Sequence, residues 1–307
     1  MNRIFVQCDS SQAEARVVWL LANDEDALKL VDKCDYHALT ATWFFGGIEN
    51  DYSKKALGYE HPIRFCGKTL RHAGHLGAGG KRASIEVNTQ ARKNHINIKI
   101  DSKEADRALK IFHNKQPKIQ HVFQNGVVEA IKRNRVLIAG VPFGVDSPVG
   151  GRRTFYERWG DELNRQAFSY IPQRTVSDNT KMAGIRIKEK YPNARLVMEA
   201  HDALLFSLYE SELDDFLPIV KEEMERPIRF DNCSLSRREL IIPCDIETGY
   251  NFQELKKFKN EIVVKDQMEI KMKQRSVEEE FMADPFIKLE TKLDGLIYHD
   301  MEMKDRV

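Results

Sequence analysis

Two aspartates in this chain stand where an apolar strand runs out. Asp9 follows Ile4-Phe5-Val6-Gln7-Cys8, which reads as a short buried strand. Asp202 lies in a turn between two apolar runs, Leu196-Val197-Met198-Glu199 and Leu204-Leu205-Phe206-Ser207-Leu208. An acid at such an edge is close to the core yet open to solvent on one side. If the strands are neighbours in one antiparallel sheet, the two carboxylates converge. Hard oxygen ligands of this kind suit Mg²⁺, which keeps waters and shares its shell with substrate phosphates. Two such ions, about 3.5–4 Å apart, activate an attacking hydroxyl and stabilise a leaving oxygen. Taken singly, either acid reads first as a helix cap or a turn residue, and only matching patterns around both lift the pair above that.

A second group of residues could meet a phosphate. Pro62 suits a first-turn position and opens a helix over about 63–73. On it Arg64, Lys68, Arg71, His72 and His75 fall within an arc of about 100°. No acid occurs on this helix to pair with them. A one-sided cationic stripe repels itself unless it faces an anion such as a triphosphate, the alternative being a solvated basic face. The stripe belongs to a wider basic block. From His61 to Ile100 the charged residues are Arg64, Lys68, Arg71, Lys81, Arg82, Arg92, Lys93 and Lys99 against the single acid Glu86, in a chain whose formal net charge is only +1. Such a block points to a polyanion or to solvated surface.

The elements that must hold these residues are short. Ser11-Gln12-Ala13-Glu14 has the S-x-x-E spacing of a capping box, which predicts a helix to about Leu21. Helical stretches follow at about 25–32 and 36–45, broken by Gly46-Gly47. Gly74 to Gly80, with four glycines, reads as a flexible exit from the basic helix. Helices are expected at 102–113 and 118–133, a strand at 136–139, a Pro/Gly/Arg loop at 147–153, and helices at 155–169 and 175–190. After the two strands around Asp202 come a helix at 210–225 and a strand at 239–247. Residues 258–307 alternate in charge and form a tail without evident chemistry.

Composition narrows the class. At 307 residues the chain has room for one large or two interleaved domains, and 42% hydrophobic with 31% charged residues fits a globular protein. Cys8, Cys34, Cys66, Cys233 and Cys244 form no CxxC pair, which argues against a disulfide framework and a zinc knuckle and for a reducing compartment. No apolar run approaches the roughly 20 residues of a membrane span, and no signal-peptide pattern opens the chain. A cytoplasmic protein without membrane contact is expected.

Several segments resemble a known family. Asp9-Ser10-Ser11-Gln12-Ala13-Glu14-Ala15-Arg16 resembles the first catalytic motif of family A DNA polymerases, D-x-S-Q-x-E-x-R. Arg64-x-x-x-Lys68-Thr69-Leu70-Arg71-His72, closing with Leu76-Gly77-Ala78-Gly79, resembles the fingers-helix motif, especially its phage versions. Glu199-Ala200-His201-Asp202-Ala203-Leu204-Leu205-Phe206 resembles the third motif. Arg165 and Gln173-(x4)-Asp178, Asp35-Tyr36-His37, and Asp245-Ile246-Glu247-Thr248-Gly249-Tyr250-Asn251-Phe252 resemble further family segments. All occur in family order, over about 1–255.

The resemblance implies an α+β fold: a polymerase palm (an antiparallel sheet with helices) from 1–21 and 136–257, a mostly helical fingers subdomain from 22–135, and a charged tail at 258–307. It implies DNA-directed DNA synthesis with two Mg²⁺ ions, or Mn²⁺ in substitution. Asp9 and Asp202 would hold the ions, with the Ser10 carbonyl as a further ligand. Gln12, Glu14, His37, Arg64, Lys68 and His72 would line the deoxynucleoside triphosphate site, with Lys68 protonating pyrophosphate and Glu14 excluding ribonucleotides. Arg165, Gln173 and His201 would contact primer–template DNA.

Three departures stand out. His72 replaces the family's aromatic residue, Leu76 its tyrosine, and Ala203 the acid after the His-Asp pair. The family also places a thumb, part of the palm and usually an exonuclease before its first motif, whereas this chain begins eight residues before Asp9. Thumb and exonuclease are therefore expected to be absent and supplied by a second polypeptide, as in a split gene of a phage or plasmid replicon, unless the chain is a fragment. The rivals are a single-subunit RNA polymerase, which tends to have glycine near Glu14 and a tyrosine on the fingers helix, and a degenerate DNA-binding subunit of the same fold.

Overall fold

The computed structural model describes residues 2–138, 151–230 and 239–257. The expected tail at 258–307 and part of the expected 147–153 loop lie outside them. In chain order the elements are β1 (Arg3–Ser10), α1 (Ala13–Leu21), α2 (Glu25–Leu30), α3 (Tyr36–Phe45), α4 (Lys54–Leu57), α5 (Pro62–His75), α6 (Gly80–Lys93), α7 (Ser102–Lys115), α8 (Asn125–Asn134, after a π-turn at Ile119–Gln124), β2 (Val136–Ile138) and β3 (Arg152–Thr154). There follow α9 (Asp161–Lys190), β4 (Arg195–Ala200), β5 (Ala203–Tyr209), α10 (Leu213–Met224), β6 (Ile228–Arg229), β7 (Glu239–Leu240), β8 (Cys244–Gly249) and the two-residue β9 (Lys256–Lys257). Residues 1–256 form one compact unit. Antiparallel strands and packed helices give the expected α+β class.

The main sheet runs β4-β5-β1-β8-β9, so β1 lies inside it with β5 and β8 as antiparallel neighbours. β1 alternates as a half-buried strand should: Ile4, Val6, Cys8 and Ser10 are buried, while Phe5, Gln7 and Asp9 are only partly covered. Leu204, Leu205, Phe206 and Leu208 make β5 apolar on both faces. Helix α1 is buried nearly all round, from Val17 to Leu21 without a break, as befits a helix passing through the core.

Helices α3, α5, α6 and α7 pack together, and α5 also meets α1. The approach of α5 to α3 is close because residue 67 is glycine: an added Cβ would lie 2.9 Å from the backbone N and Cα of Ala41. Gly67→Ala is expected to cost about 1–3 kcal/mol by forcing the helices apart. A lowered urea midpoint at unchanged slope is the check.

Several expectations change on contact with the structure. The Ser11/Glu14 capping box does not form; α1 starts after Gln12, which adopts a left-handed conformation (φ 51°) with no side-chain cap. The Gly74–Gly80 exit is firmer than its composition suggests. Gly74 packs on the Phe112 ring, Gly80 opens α6 with its N–H donated to Asp106 at 2.7 Å, and the left-handed Gly77 (φ 69°) lies against Phe168. Helix α6 went unread, although Ala83, Val87 and Ala91 bury one face at i, i+4, i+8 spacing. The two helices expected on either side of Pro172 are one 30-residue helix, α9. Proline removes only one backbone donor, and packing on both sides carries the helix through. The strand expected at 239–247 divides into β7 and β8 around Pro243.

Candidate active site

The two strand-end aspartates meet. Asp9 pairs in register with Ala203, the residue after Asp202, and the Ser10 N–H donates to the Asp202 carbonyl at 3.2 Å. The two carboxylates are within hydrogen-bonding reach of each other. On the other side Asp9 pairs with Asp245 of β8. Burial, followed by the Asp202 charge and then that of Asp245, pushes the Asp9 carboxyl up to about 6.

A carboxyl that holds its proton more tightly in the folded chain weakens the fold as pH rises from the ordinary carboxylate range through 6. Asp9→Asn is therefore expected to raise the denaturation midpoint of the metal-free protein at neutral pH. The gain should shrink between about pH 6 and 4 as both states become protonated. Midpoints measured in a chelator across this range are the check. Divalent cations should narrow the difference by offsetting the repulsion.

The donor set fits a hard cation. Among the described residues no group of three His, Cys, Asp or Glu side chains converges to hold a metal. Asp9 and Asp202 bring oxygen donors together, the kind a hard cation takes when water and phosphate complete its shell.

Helix α5 reaches the same segment by two side chains. Arg71 Nη1 donates to Gln12 Oε1 at 3.1 Å, and His72 Nδ1 lies 3.7 Å from Glu14 Oε2. From the other side His201, held at φ 60° in the tight turn before Asp202, brings Nε2 to 3.2 Å from Glu14 Oε1. Glu14 sits between them with its side chain 15% exposed, its carboxyl raised by burial despite the opposing pull of His201. Arg16, which closes the first motif, is buried; its Nε donates to the Ser11 carbonyl at 2.9 Å, and its Nη2 contacts Asp32 at 2.5 Å. The loop between β1 and α1 is thereby fixed from both ends.

The cationic stripe is not a uniform face. Arg64 is held by Asp35 at 2.8 Å and Glu60 at 2.7 Å, all three side chains largely covered. The helix has no acid of its own, but its neighbours supply two. Arg71 and His75 are buried, not presented to a ligand. The Arg71 guanidinium lies 5.3 Å from the ring centres of both Trp19 and Tyr36, and burial lowers it to about 10. His75 stacks edge-on against Trp19. Lys68 remains exposed, with no ion pair among the described residues. His37 lies among these charges; burial and the fields of Arg71, Arg64 and Lys68 drive its imidazole well below its usual range, so it is neutral at pH 7.

The third group lies on α9. Arg165 pairs with Glu162 at 2.7 Å, and Glu162 also approaches Arg82 of α6 at 3.7 Å. A cavity of about 280 Å³ opens here between His72 of α5, Leu76 just past its end, Arg82 of α6 and Arg165 and Gln166 of α9. Gln173 is exposed farther along, whereas Asp178 is buried and taken by Arg174 at 2.8 Å. The structure therefore brings Asp9, Ser10, Gln12, Glu14, His72, His201 and Asp202 into one cluster. Arg64, Lys68 and His37 lie on the adjoining helices, and Arg165 on the cavity beside His72.

What sequence reasoning missed are the pairings: Asp35 and Glu60 with Arg64, Gln12 with Arg71, and Glu162 between α9 and α6. Asp35 also left a local trace, since it precedes the apolar run of α3 as an N-cap does, and its carboxylate accepts from the Ala38 N–H at 3.1 Å.

Comparison with known proteins points to one family. The sequence pattern of DNA polymerase family A matches residues 1–254. The thermostable DNA polymerase I of Thermus filiformis is 25% identical over 249 residues, 80% of this chain and 26% of that protein. That of Thermus thermophilus is 24% identical over 247 residues, with the same shares. The chain thus spans about a quarter of the length of the curated relatives it matches. Among solved structures, the POL domain of Pol1 from M. smegmatis, in complex with DNA primer-template and dNTP, superposes with a TM-score of 0.61 at 16% identity. It covers 81% of this chain and 40% of that one, a likeness of fold.

Proposed function

Because the chain belongs to DNA polymerase family A, we propose that it is the catalytic portion of a template-directed DNA polymerase, with 1–21 and 136–257 serving as palm and 22–135 as fingers. The observation that carries this reading is the meeting of Asp9 at the end of β1 with Asp202 in the turn that leads into its antiparallel neighbour β5, with α5 reaching the same segment at Gln12 and Glu14. Asp9, Asp202 and the Ser10 carbonyl would hold two divalent ions, Mg²⁺ or Mn²⁺ in its place. When bound, these lower the pKa of a primer 3′-hydroxyl and stabilise the leaving oxygen.

The remaining work is positioning and charge neutralisation, which suffices for phosphoryl transfer. The 3′-oxygen attacks the α-phosphorus of a deoxynucleoside triphosphate, one P–O bond forms, and the bond to pyrophosphate breaks. Lys68 grips the triphosphate and gives a proton to the departing pyrophosphate. Arg64 adds charge from within its pair of carboxylates, and neutral His37 serves as a hydrogen-bonding partner at the phosphates. Glu14 occupies the space an added 2′-hydroxyl would need, and rejects ribonucleotides by crowding. Arg165, Gln173 and His201 steer the primer–template.

A second polypeptide supplying thumb and exonuclease completes this reading. Edge strand β4 supports it, leaving Leu196, Val197 and Met198 exposed at 45%, 51% and 40%, an apolar edge of the kind that seeks a partner. No helix among the described residues is long and apolar enough to cross a membrane. The setting we propose is cytoplasmic, in a host cell if the gene belongs to a phage.

Extension of a primed DNA template with Mg²⁺ tests the function. Deoxynucleotides are expected to be added in a template-dependent order and ribonucleotides poorly. Equal use of both would favour the RNA polymerase reading, and no extension with or without an added thumb-bearing subunit would favour the DNA-binding one.

A further inference from the structure

We propose that His72 and His201 are positioning residues for the Glu14 carboxylate, and that their joint grip sets how strictly deoxyribose is preferred over ribose. The inference rests on the proposed role of Glu14 at the sugar. Each histidine meets a different oxygen: His201 Nε2 lies 3.2 Å from Oε1 and His72 Nδ1 lies 3.7 Å from Oε2. They come from separate elements, one from the tight turn before Asp202 and one from α5, so the carboxylate bridges palm and fingers.

A second observation frees Glu14 for this task. Its spacing from Ser11 suits a capping box, yet α1 carries no side-chain cap and Gln12 takes the left-handed conformation instead. The carboxylate is therefore not spent on the helix end. Nor do its neighbours on α5 compete for it. Arg71, next to His72, turns inward to Gln12, and Leu76, one turn farther on, has no polar side-chain atom. A glutamate held at Oε1 by His201 and flanked at Oε2 by His72 keeps one rotamer and a defined wall, whereas losing either neighbour lets the carboxylate swing and the wall yield.

The test is the ratio of kcat/KM for a deoxynucleotide to that for the matching ribonucleotide, measured with the full chain on one primed template. A general loss from disturbed primer binding cancels in this ratio. His201→Ala is expected to lower it about fivefold, the worth of one ordinary hydrogen bond, and His72→Ala, which removes a longer contact, about twofold. His72→Gln, which keeps an N–H donor, should restore part of the loss. In a Glu14→Ala background neither substitution should change the ratio further.

If Glu14→Ala lowers the ratio and the histidine variants leave it untouched, the grip is refuted while the sugar role of Glu14 stands. If Glu14→Ala itself has no effect, the sugar role fails first and takes the grip with it. Should His201→Ala abolish extension, the ratio of dissociation constants for the two nucleotides on a chain-terminated primer gives the same readout.

Discussion

Asp9→Ala is expected to reduce primer extension at least about a thousandfold, and Asp202→Ala to do the same, with primer–template affinity nearly unchanged. Two carboxylates that share their ions act as one unit, so either loss disables both the activation of the attacking hydroxyl and the stabilisation of the leaving oxygen. Fold stability will not account for the defect. Asp9 is partly covered and destabilised by its acidic neighbours, so removing it relieves repulsion and leaves the β1–β5 ladder intact. Asp245 pairs with Asp9 from β8, one strand farther from the turn that carries Asp202, and is not expected to replace it. Single-turnover extension measured beside fluorescence anisotropy of labelled DNA separates the two effects. Extension surviving either substitution would remove the two-metal assignment.

Lys68→Ala is expected to lower kcat by about a hundredfold to ten-thousandfold, as the loss of a general acid does, with a smaller rise in the nucleotide KM. Arg64→Ala should behave differently. Its charge is already engaged by Asp35 and Glu60 in a largely covered cluster, so its removal strands two carboxylates. The expected result is a fold weakened by about 1–3 kcal/mol, the worth of hydrogen bonds to charged groups, together with a modest rise in KM. Kinetics of both variants alongside their denaturation midpoints are the check. A large kcat loss at unchanged stability for Arg64→Ala would make Arg64, in place of Lys68, the main support of the departing pyrophosphate.

The sequence revealed the strands around Asp9 and Asp202 because apolar runs ending in a lone acid are visible in one dimension. Their pairing could only be posed as a condition, and the register of Asp9 on Ala203 needed coordinates, since no local pattern states which strand lies beside which. The basic helix shows the same limit from another side. Helical spacing correctly put Arg64, Lys68, Arg71 and His72 on neighbouring positions, but periodicity says nothing of what a face touches. Arg71 proved to be buried between Trp19 and Tyr36, and Arg64 was claimed by acids from other elements. Helix α6 escaped because its polar residues masked three small buried ones, and α9 was cut at Pro172 because local propensity ignores tertiary packing.

Helix α9 also acts as a ruler. Near one end Arg165 borders the cavity beside α5; farther along, Gly184 backs onto Leu204 and Leu196 of the strands that present Asp202. A rigid rod joins the two, and each added or lost residue between them would turn everything beyond it by about 100° and slide it by about 1.5 Å. Its residue count therefore cannot drift without uncoupling the two ends.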